Sequence, residues 1–511
     1  MNELLTVTLN SPGPVGLLML RLTRSVVRAV FLIVLATQAT HADVVCPPVF
    51  GDHMVLQRDR PIVIWGSAAP GERVTAKFAG SRASVNASQE GVWRIQLPSH
   101  QADPTGRILS IRGKNTLTFT DVLVGEVWLC SGQSNMEKPF GPRKGQKPTD
   151  NSAEEIAQAN HPFLRLFQVP HSSKPKPDDG TMQWLACSPE TLAKTEFSAA
   201  AYFFGRELNH ELNVPVGLIH ASFGGTQIEA WMPPQAFASR PALAPLANLR
   251  YPAWVEGVQA TELFQSMIAP LAPFGLRGFL WYQGEANCMM AEGPLYTEKM
   301  AALITSWRGA WNDSNAPFYF ALLAPFDYSR WDTFPKRLTP EELPIFWEAQ
   351  AAALAEPNTG LVVTTDLVAN LKDIHPTNKR DVGLRFARLA LADTYGRANG
   401  EAHSPQFASF RPADHSRLEL SFRHTGGHLS TRDKKPPTEF SIAGADGKFL
   451  PATAEITGDK IVVWNDELSS PSAVRFGWHE TAVSNLVNAS GLPVVPFRTD
   501  TWPVVTERPK P

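Results

Sequence analysis

Cysteine, net charge and long apolar runs are all scarce in this 511-residue chain, and each scarcity removes a class of function. Lys and Arg number 47 against 49 Asp and Glu, a formal charge of −2, and no run of basic residues interleaved with aromatics occurs. Such a balance creates no field for a polyphosphate, which argues against nucleic-acid binding. The apolar run from Ala29 to Ala36 falls well short of the ~20 residues that span a bilayer, so no membrane span is expected in the mature protein. The four cysteines, Cys46, Cys130, Cys187 and Cys288, lack metal-ligand spacing. In an oxidising compartment they allow two disulfides in three connectivities, and buried free thiols are an equal alternative. No internal repeat or low-complexity tract stands out.

What is present suits a folded, multidomain protein. Apolar residues make up 43%, and 43 prolines with 35 glycines imply many turns and substantial β-structure. The length predicts two or three domains. Arg21, Arg24 and Arg28, the apolar run, and Thr40-His41-Ala42 before Asp43 follow the order of a secretory signal peptide, read here as residues 1–42. Translation starts at Met1 or Met19, and the mature chain is expected to be secreted or periplasmic.

Residues 43–122 alternate short apolar stretches with turns, as in Ile62 to Gly66 and Trp93 to Leu97, and predict a small β-domain. From 123 to 400, strands alternate with amphipathic helices: Val122 to Leu129, a helix capped by Ser198, Val216 to Ser222, Phe279 to Tyr282, and a helix carrying Val382, Phe386 and Leu389. That alternation predicts a parallel sheet covered by helices on both faces. Residues 401–511 return to short β-runs and predict a second β-domain.

Chemistry-bearing segments cluster where the parallel strands end, the edge at which such folds place ligands. Gly132-Gln133-Ser134-Asn135 would lift a serine hydroxyl out of the sheet edge. Gly224-Gly225 offers backbone N–H groups with no side chain to block them, as an oxyanion hole requires. Gln283 and Asn287, in Trp281-Tyr282-Gln283-Gly284-Glu285-Ala286-Asn287, carry amides that could donate to the same oxyanion. Asp373-Ile374-His375 places a carboxylate two residues before an imidazole able to take the serine proton. Each signal is weak by itself, because turns, paired glycines and surface histidines are common.

Taken together, these segments resemble the sialate O-acetylesterase group of the SGNH hydrolases. The resemblance extends to Asp52-His53-Met54-Val55-Leu56-Gln57-Arg58, to Val124 through Met136, to Gly224 through Trp231, and to Pro496-Phe497-Arg498-Thr499-Asp500. It implies a three-layer α/β/α catalytic domain flanked by β-sandwich-like domains. It also implies Ser134 as nucleophile, His375 as base, Asp373 as the acid with Asp366 in reserve, and an oxyanion hole from the Ser134 N–H, Gly225, and Gln283 or Asn287. Glu285 is assigned a supporting role. No metal or organic cofactor is expected, and the partner is an O-acetylated carbohydrate. The segment from Asp327 to Leu343 is a candidate cleft wall, with Tyr328 and Trp331 stacking on sugar and Arg330 pairing with a sialate carboxylate. Acetylated xylan or another polysaccharide is an alternative substrate, a silent glycan-binding protein an alternative function, and a glycosidase using Glu285 and Glu229 a weaker one.

Overall fold

The computed structural model describes residues 43–143, 145–174, 181–248, 258–414 and 416–508. The proposed signal peptide therefore lies outside the described residues.

Strands β1 (Val55–Gln57), β2 (Ile62–Ser67), β3 (Arg73–Phe78), β4 (Ser81–Asn86), β5 (Val92–Leu97) and β6 (Asp103–Arg112) form the opening β-region. The next strand, β7 (Thr116–Gly132), runs without a break across positions 122 and 123. Its first part pairs antiparallel with β6, and its second part enters the main sheet. The opening region and the α/β region thus share one strand. The polar alternation of Thr116 to Asp121 gives way to a fully buried run from Val122 to Gly132, the change expected when a strand passes from a half-exposed sheet to a doubly covered one.

β8 (His161–Gln168), β9 (Trp184–Cys187), β10 (Val216–Ser222), β11 (Gly278–Tyr282), β12 (Phe318–Ala321) and β13 (Thr359–Val362) complete the main sheet in the order β13-β12-β11-β7-β10-β8-β9. All neighbouring pairs in that order are parallel except β8 with β9. Period-two alternation assigns the two faces. Trp128, Leu280, Tyr282 and Tyr319 pack on one core, while Leu129, Phe279, Trp281 and Phe318 pack on the other. Helices α1 (Ser134–Glu137), α2 (Ala199–Leu212), α3 (Gly293–Trp311) and α4 (Glu342–Ala352) lie between these strands in sequence, and α5 (Lys379–Leu389) follows β13. α2 and α5 contribute Phe204 and Phe386 to the first core, α3 contributes Trp307 to the second, and the expected covered sheet is present. Ser198 caps α2 as expected, its hydroxyl accepting from the Ala201 N–H at 3.1 Å.

After residue 401, β14 (Gln406–Pro412), β15 (Arg417–Arg423), β16 (Leu429–Thr431), β17 (Phe440–Ala443), β18 (Phe449–Pro451), β19 (Thr453–Thr457), β20 (Lys460–Trp464), β21 (Ala473–Phe476), β22 (Leu486–Asn488) and β23 (Phe497–Arg498) form small antiparallel sheets around Leu420, Ile442, Ile461 and Phe476. Arg498 joins this region to α4 through a paired contact with Glu348 at 2.9 and 3.0 Å. All four cysteines are free thiols, so neither disulfide forms. Among the described residues no helix is long and apolar enough to cross a membrane.

Candidate active site

β7 ends between β10 and β11, and its last residues tie both neighbours. The Phe223 N–H donates to the Gly132 carbonyl at 3.1 Å, and the Gln133 N–H donates to the Tyr282 carbonyl at 3.1 Å. Gly132 sits at φ +143°, and a β-carbon there would lie 2.1 Å from the Tyr282 oxygen, so only glycine lets the strands close. Ser134 then begins the one-turn helix α1 and remains partly exposed. Gln133 and Ser134 line a cavity of about 490 Å³ with Glu137, Phe223, Gly224, Gly225 and His375. A β-carbon on Gly224 would stand 3.2 Å from the Ser134 Cβ, which shows how close the glycine loop comes to the serine. Among the described residues the backbone N–H groups of Ser134 and Gly225 have no hydrogen-bond partner.

His375 reaches the cavity from the loop before α5. That helix is capped by Asn378, whose side chain accepts from the Asp381 N–H at 3.0 Å, a bond of ~1 kcal/mol that fixes where the loop ends. The Asp373 carboxylate accepts from the His375 N–H at 3.0 Å, and the same oxygen stands 3.9 Å from Nδ1. His375 Nε2 lies 3.4 Å from the Gln146 amide nitrogen. Burial first, then the ammonium groups of Lys379 and Lys138, lowers the imidazole to about 4, against the opposing carboxylates of Asp373 and Glu137. It is therefore neutral near pH 7 and can accept a proton.

Asn135 links the two halves. Its amide donates to the Ile374 carbonyl at 2.9 Å and to Glu285, while its oxygen accepts from Lys379 at 2.7 Å. Lys379 lies 5.2 Å from the Tyr282 ring centroid and is lowered to about 7, by burial first and then by Lys138. On the cavity rim, Glu137 accepts from the Gly224 N–H at 2.6 Å and meets Arg143 at 2.7 Å and His171 at 3.0 Å. Burial raises that carboxyl, but the hydrogen bonds and charge interactions of His171 and Arg143 outweigh burial and hold it at about 2. A partly exposed serine, a neutral imidazole and two unspent N–H groups are the equipment of acyl transfer.

A family model for carbohydrate esterases, the sialic acid-specific acetylesterases, matches residues 124–392. The chain belongs to this esterase family. It is accordingly a hydrolase of carboxylic esters, on an α/β fold of SGNH type. The crystal structure of a carbohydrate acetylesterase from Xanthomonas citri is 37% identical, covering 90% of this chain and 100% of that one with a TM-score of 0.79. Mouse sialate O-acetylesterase is 28% identical over 84% of this chain and 88% of its own length. The Pongo abelii sialate O-acetylesterase is 30% identical over 68% of this chain and 70% of its own length.

Within this esterase, the structure brings Ser134, Gly225 and His375 to one cavity and places Asp373 behind the histidine. Gln283 and Asn287 are not brought there, contrary to the sequence expectation. The Gln283 amide contacts Gln133, Thr226 and Asn287 at 2.8–3.1 Å, and the Asn287 amide donates to Glu229 and Glu292 at 3.0 and 2.8 Å. Both side chains are wholly buried, so their donors are already committed. Asp366 is held by Arg385 through two 2.7 Å bonds. Glu285 bonds Asn135, and Glu229 is paired with Lys299 in the interior. Neither glutamate lines the cavity, which leaves the glycosidase reading without its opposed carboxylates.

The wall segment also departs from expectation. Tyr328 is buried against Phe326 and cannot stack on a sugar, and Arg330 is exposed but lines neither this cavity nor its neighbour. Phe334 lines the Ser134 cavity, while the exposed Trp331 lines an adjoining hollow of about 610 Å³ with Lys147, Lys372 and His375. Sequence reasoning missed Asn135, Lys379, Glu137, Arg143 and His171. Asn135 and Glu137 stood inside or beside the serine motif, and His171 carried no signal.

Proposed function

We propose that the protein removes O-acetyl groups from sugar hydroxyls, with O-acetylated sialic acids as its substrates, through a Ser134 acyl-enzyme. The observation that carries this reading is the shared cavity of Ser134 and the neutral His375, with the free N–H groups of Ser134 and Gly225 beside them. Ser134 Oγ attacks the acetyl carbonyl as its proton passes to His375, and the two N–H groups receive the developing oxyanion. Collapse breaks the C–O bond to the sugar, whose oxygen takes the proton back from His375. Water, deprotonated by His375, then attacks the acyl-enzyme, releasing acetate and restoring Ser134. Asp373 stabilises the imidazolium by its charge and by holding the His375 backbone. The steps consume no cofactor.

The acetyl group needs little room, so selection falls to the sugar side. Trp331 offers a stacking face in the adjoining hollow, and Lys147 and Lys372 supply positive charge there for a sialate carboxylate, the role first given to Arg330. We assign the catalytic domain to residues 123–400, the flanking β-domains to 43–122 and 401–511, and residues 1–42 to an export signal that directs the enzyme outside the cytoplasm. The openness of the Trp331 hollow also suits the second reading, an acetylated polysaccharide such as xylan.

The test is acetate release by the mature protein and by Ser134→Ala from an acetylated sialic acid and from acetylated xylan in parallel. Release from the sialic acid should dominate and fall on the order of 10⁴-fold or more in the variant. Dominant release from xylan would transfer the assignment to the polysaccharide. Activity surviving in Ser134→Ala would overturn the serine mechanism, and sugar binding without turnover would make this a glycan-binding protein.

A further inference from the structure

Glu401, His403 and His424 converge where the α/β region hands over to the last β-region, and none of them lines the Ser134 cavity. Each offers one ligand atom, and the three atoms lie within 4.8 Å of one another. Glu401 Oε1 is 3.2 Å from His403 Nδ1 and 3.6 Å from His424 Nδ1. Ligands held ~2.0–2.1 Å from a tetrahedral ion stand about 3.3 Å apart, so the two Glu401–histidine spacings are close to the edges of such a site.

The surroundings are built to hold that arrangement. His403 Nε2 faces Asp393 Oδ2 at 3.1 Å, the carboxylate behind a histidine that sets its tautomer at metal sites. Glu401 Oε1, which also accepts from the His403 backbone N–H at 2.9 Å, faces Nδ1, so a ring held through Nε2 by Asp393 presents Nδ1 as a ligand once a cation displaces its proton. The buried Asn488 amide donates to the carbonyls of both His403 and His424, each at 3.0 Å, and so fixes the two backbones together. His424 itself is held at φ +62°, a conformation uncommon for a residue other than glycine and characteristic of positions where the surroundings dictate the geometry.

We propose that Glu401, His403 and His424 bind a divalent transition metal, zinc being the best match, and that the ion clamps the joint between the α/β region and the last β-region. Two imidazoles with one carboxylate suit zinc rather than calcium or magnesium, which call for oxygen donors. The partial exposure of all three residues leaves room for water to complete the coordination. The role is structural and independent of the ester chemistry. The cysteine spacing gave no hint of it, because these ligands are joined by folding.

The experiment uses the untagged mature protein, stripped with a chelator and titrated calorimetrically with zinc, magnesium and calcium. One equivalent of zinc should bind with Kd about 1 µM or tighter, with neither of the other ions competing. His424→Ala should weaken zinc binding at least ~100-fold, and Asp393→Asn by ~10–100-fold. Zinc should raise the thermal midpoint of the parent protein and not that of His424→Ala. Failure of the parent protein to bind zinc overturns the proposal whatever the variants do, and makes the cluster a set of hydrogen bonds around a protonated His403. Unchanged zinc binding in a folded His403→Ala/His424→Ala double variant overturns it equally.

Discussion

Asn135 donates from its amide to the Ile374 carbonyl at 2.9 Å, so the residue that follows Ser134 holds the residue that precedes His375. The same side chain receives Lys379 from the first turn of α5. The serine turn and the histidine loop are thus fastened by one short polar side chain. Removing it leaves both proposed catalytic groups in place but frees their separation. Asn135→Ala should lower kcat by on the order of 10²-fold with KM changed only a few-fold, the mark of lost alignment rather than lost binding. Steady-state kinetics on a chromogenic acetate ester, beside a melting curve, checks this. An unchanged kcat would remove Asn135 from the machinery.

The acid partner can be decided by two substitutions. Asp373 touches the His375 N–H and stands 3.9 Å from its ring nitrogen, whereas Asp366 is occupied by Arg385. Asp373→Asn should reduce kcat by on the order of 10²-fold at an unchanged melting temperature. Asp366→Asn should do the reverse, keeping kcat and losing stability as Arg385 is left with half its anchor. The opposite pattern would transfer the role to Asp366.

Much of this architecture was legible in the sequence because its strands are buried on both faces and its helices on one. β10 appears as Val216 to Ser222 in both readings, since a run with no polar alternation between turn residues has few alternatives. β8 was not visible, as Pro162 is its second residue and Arg165 interrupts it, a cation held there by Asp121 at 2.7 Å and by the carbonyls of Pro162 and His53 at 2.8 and 3.1 Å. α4 escaped because its apolar residues surround the helix rather than line one side. In the site, the serine, glycine and histidine motifs were readable as local chemistry. Which amides face the cavity was not, because Gln283 and Asn287 find their partners on Gln133, Thr226, Glu229 and Glu292, and those contacts exist only after folding.

The depressed His375 sets the acid limit of activity. The reaction needs the neutral imidazole, and with the group at about 4 the free enzyme keeps that form until pH falls through that value. The pH profile of kcat/KM should therefore stay level from pH 7 to about 5 and fall below it. Lys379→Met removes one of the two cations that depress the histidine, so its acid limb should move upward toward the ordinary value near 6.5. Stability follows the same sign. His375 and the buried His220 both lie at about 4 in the folded chain against 6.5 unfolded, so the unfolded chain takes up protons first as pH drops. Their contribution is present above pH 6.5 and is lost on the way down to about 4. Urea midpoints at pH 7, 5.5 and 4.5 should decline in that order, and an acid limb unmoved by Lys379→Met would refute the electrostatic account.

The buried amides give the last prediction. An oxyanion donor contributes to the transition state, so its loss typically costs 10²–10³ in kcat while the resting fold is undisturbed. A scaffold amide contributes to the resting fold, and its loss strands its partners. Asn287 accepts from the Ile228 N–H at 3.0 Å and from Gln283 at 2.8 Å, while donating to Glu229 and Glu292 around the buried Lys299. Asn287→Ala leaves the buried Ile228 N–H without its acceptor, at roughly 1–3 kcal/mol, and takes one bond each from Gln283, Glu229 and Glu292. The melting temperature should therefore drop by a few degrees, because an unfolding entropy of ~2.1 cal/mol/K per residue makes the shift about 1 °C per kcal/mol in a chain of this length. The folded fraction should retain kcat within a few-fold of the parent enzyme, and Gln283→Ala should behave alike, since its amide secures Gln133 rather than the cavity. Differential scanning calorimetry with active-site titration separates the two cases. If either variant melts normally and loses 10²-fold or more in kcat, the amide moves into the oxyanion hole when substrate binds, and the assignment to the Ser134 and Gly225 N–H groups alone fails.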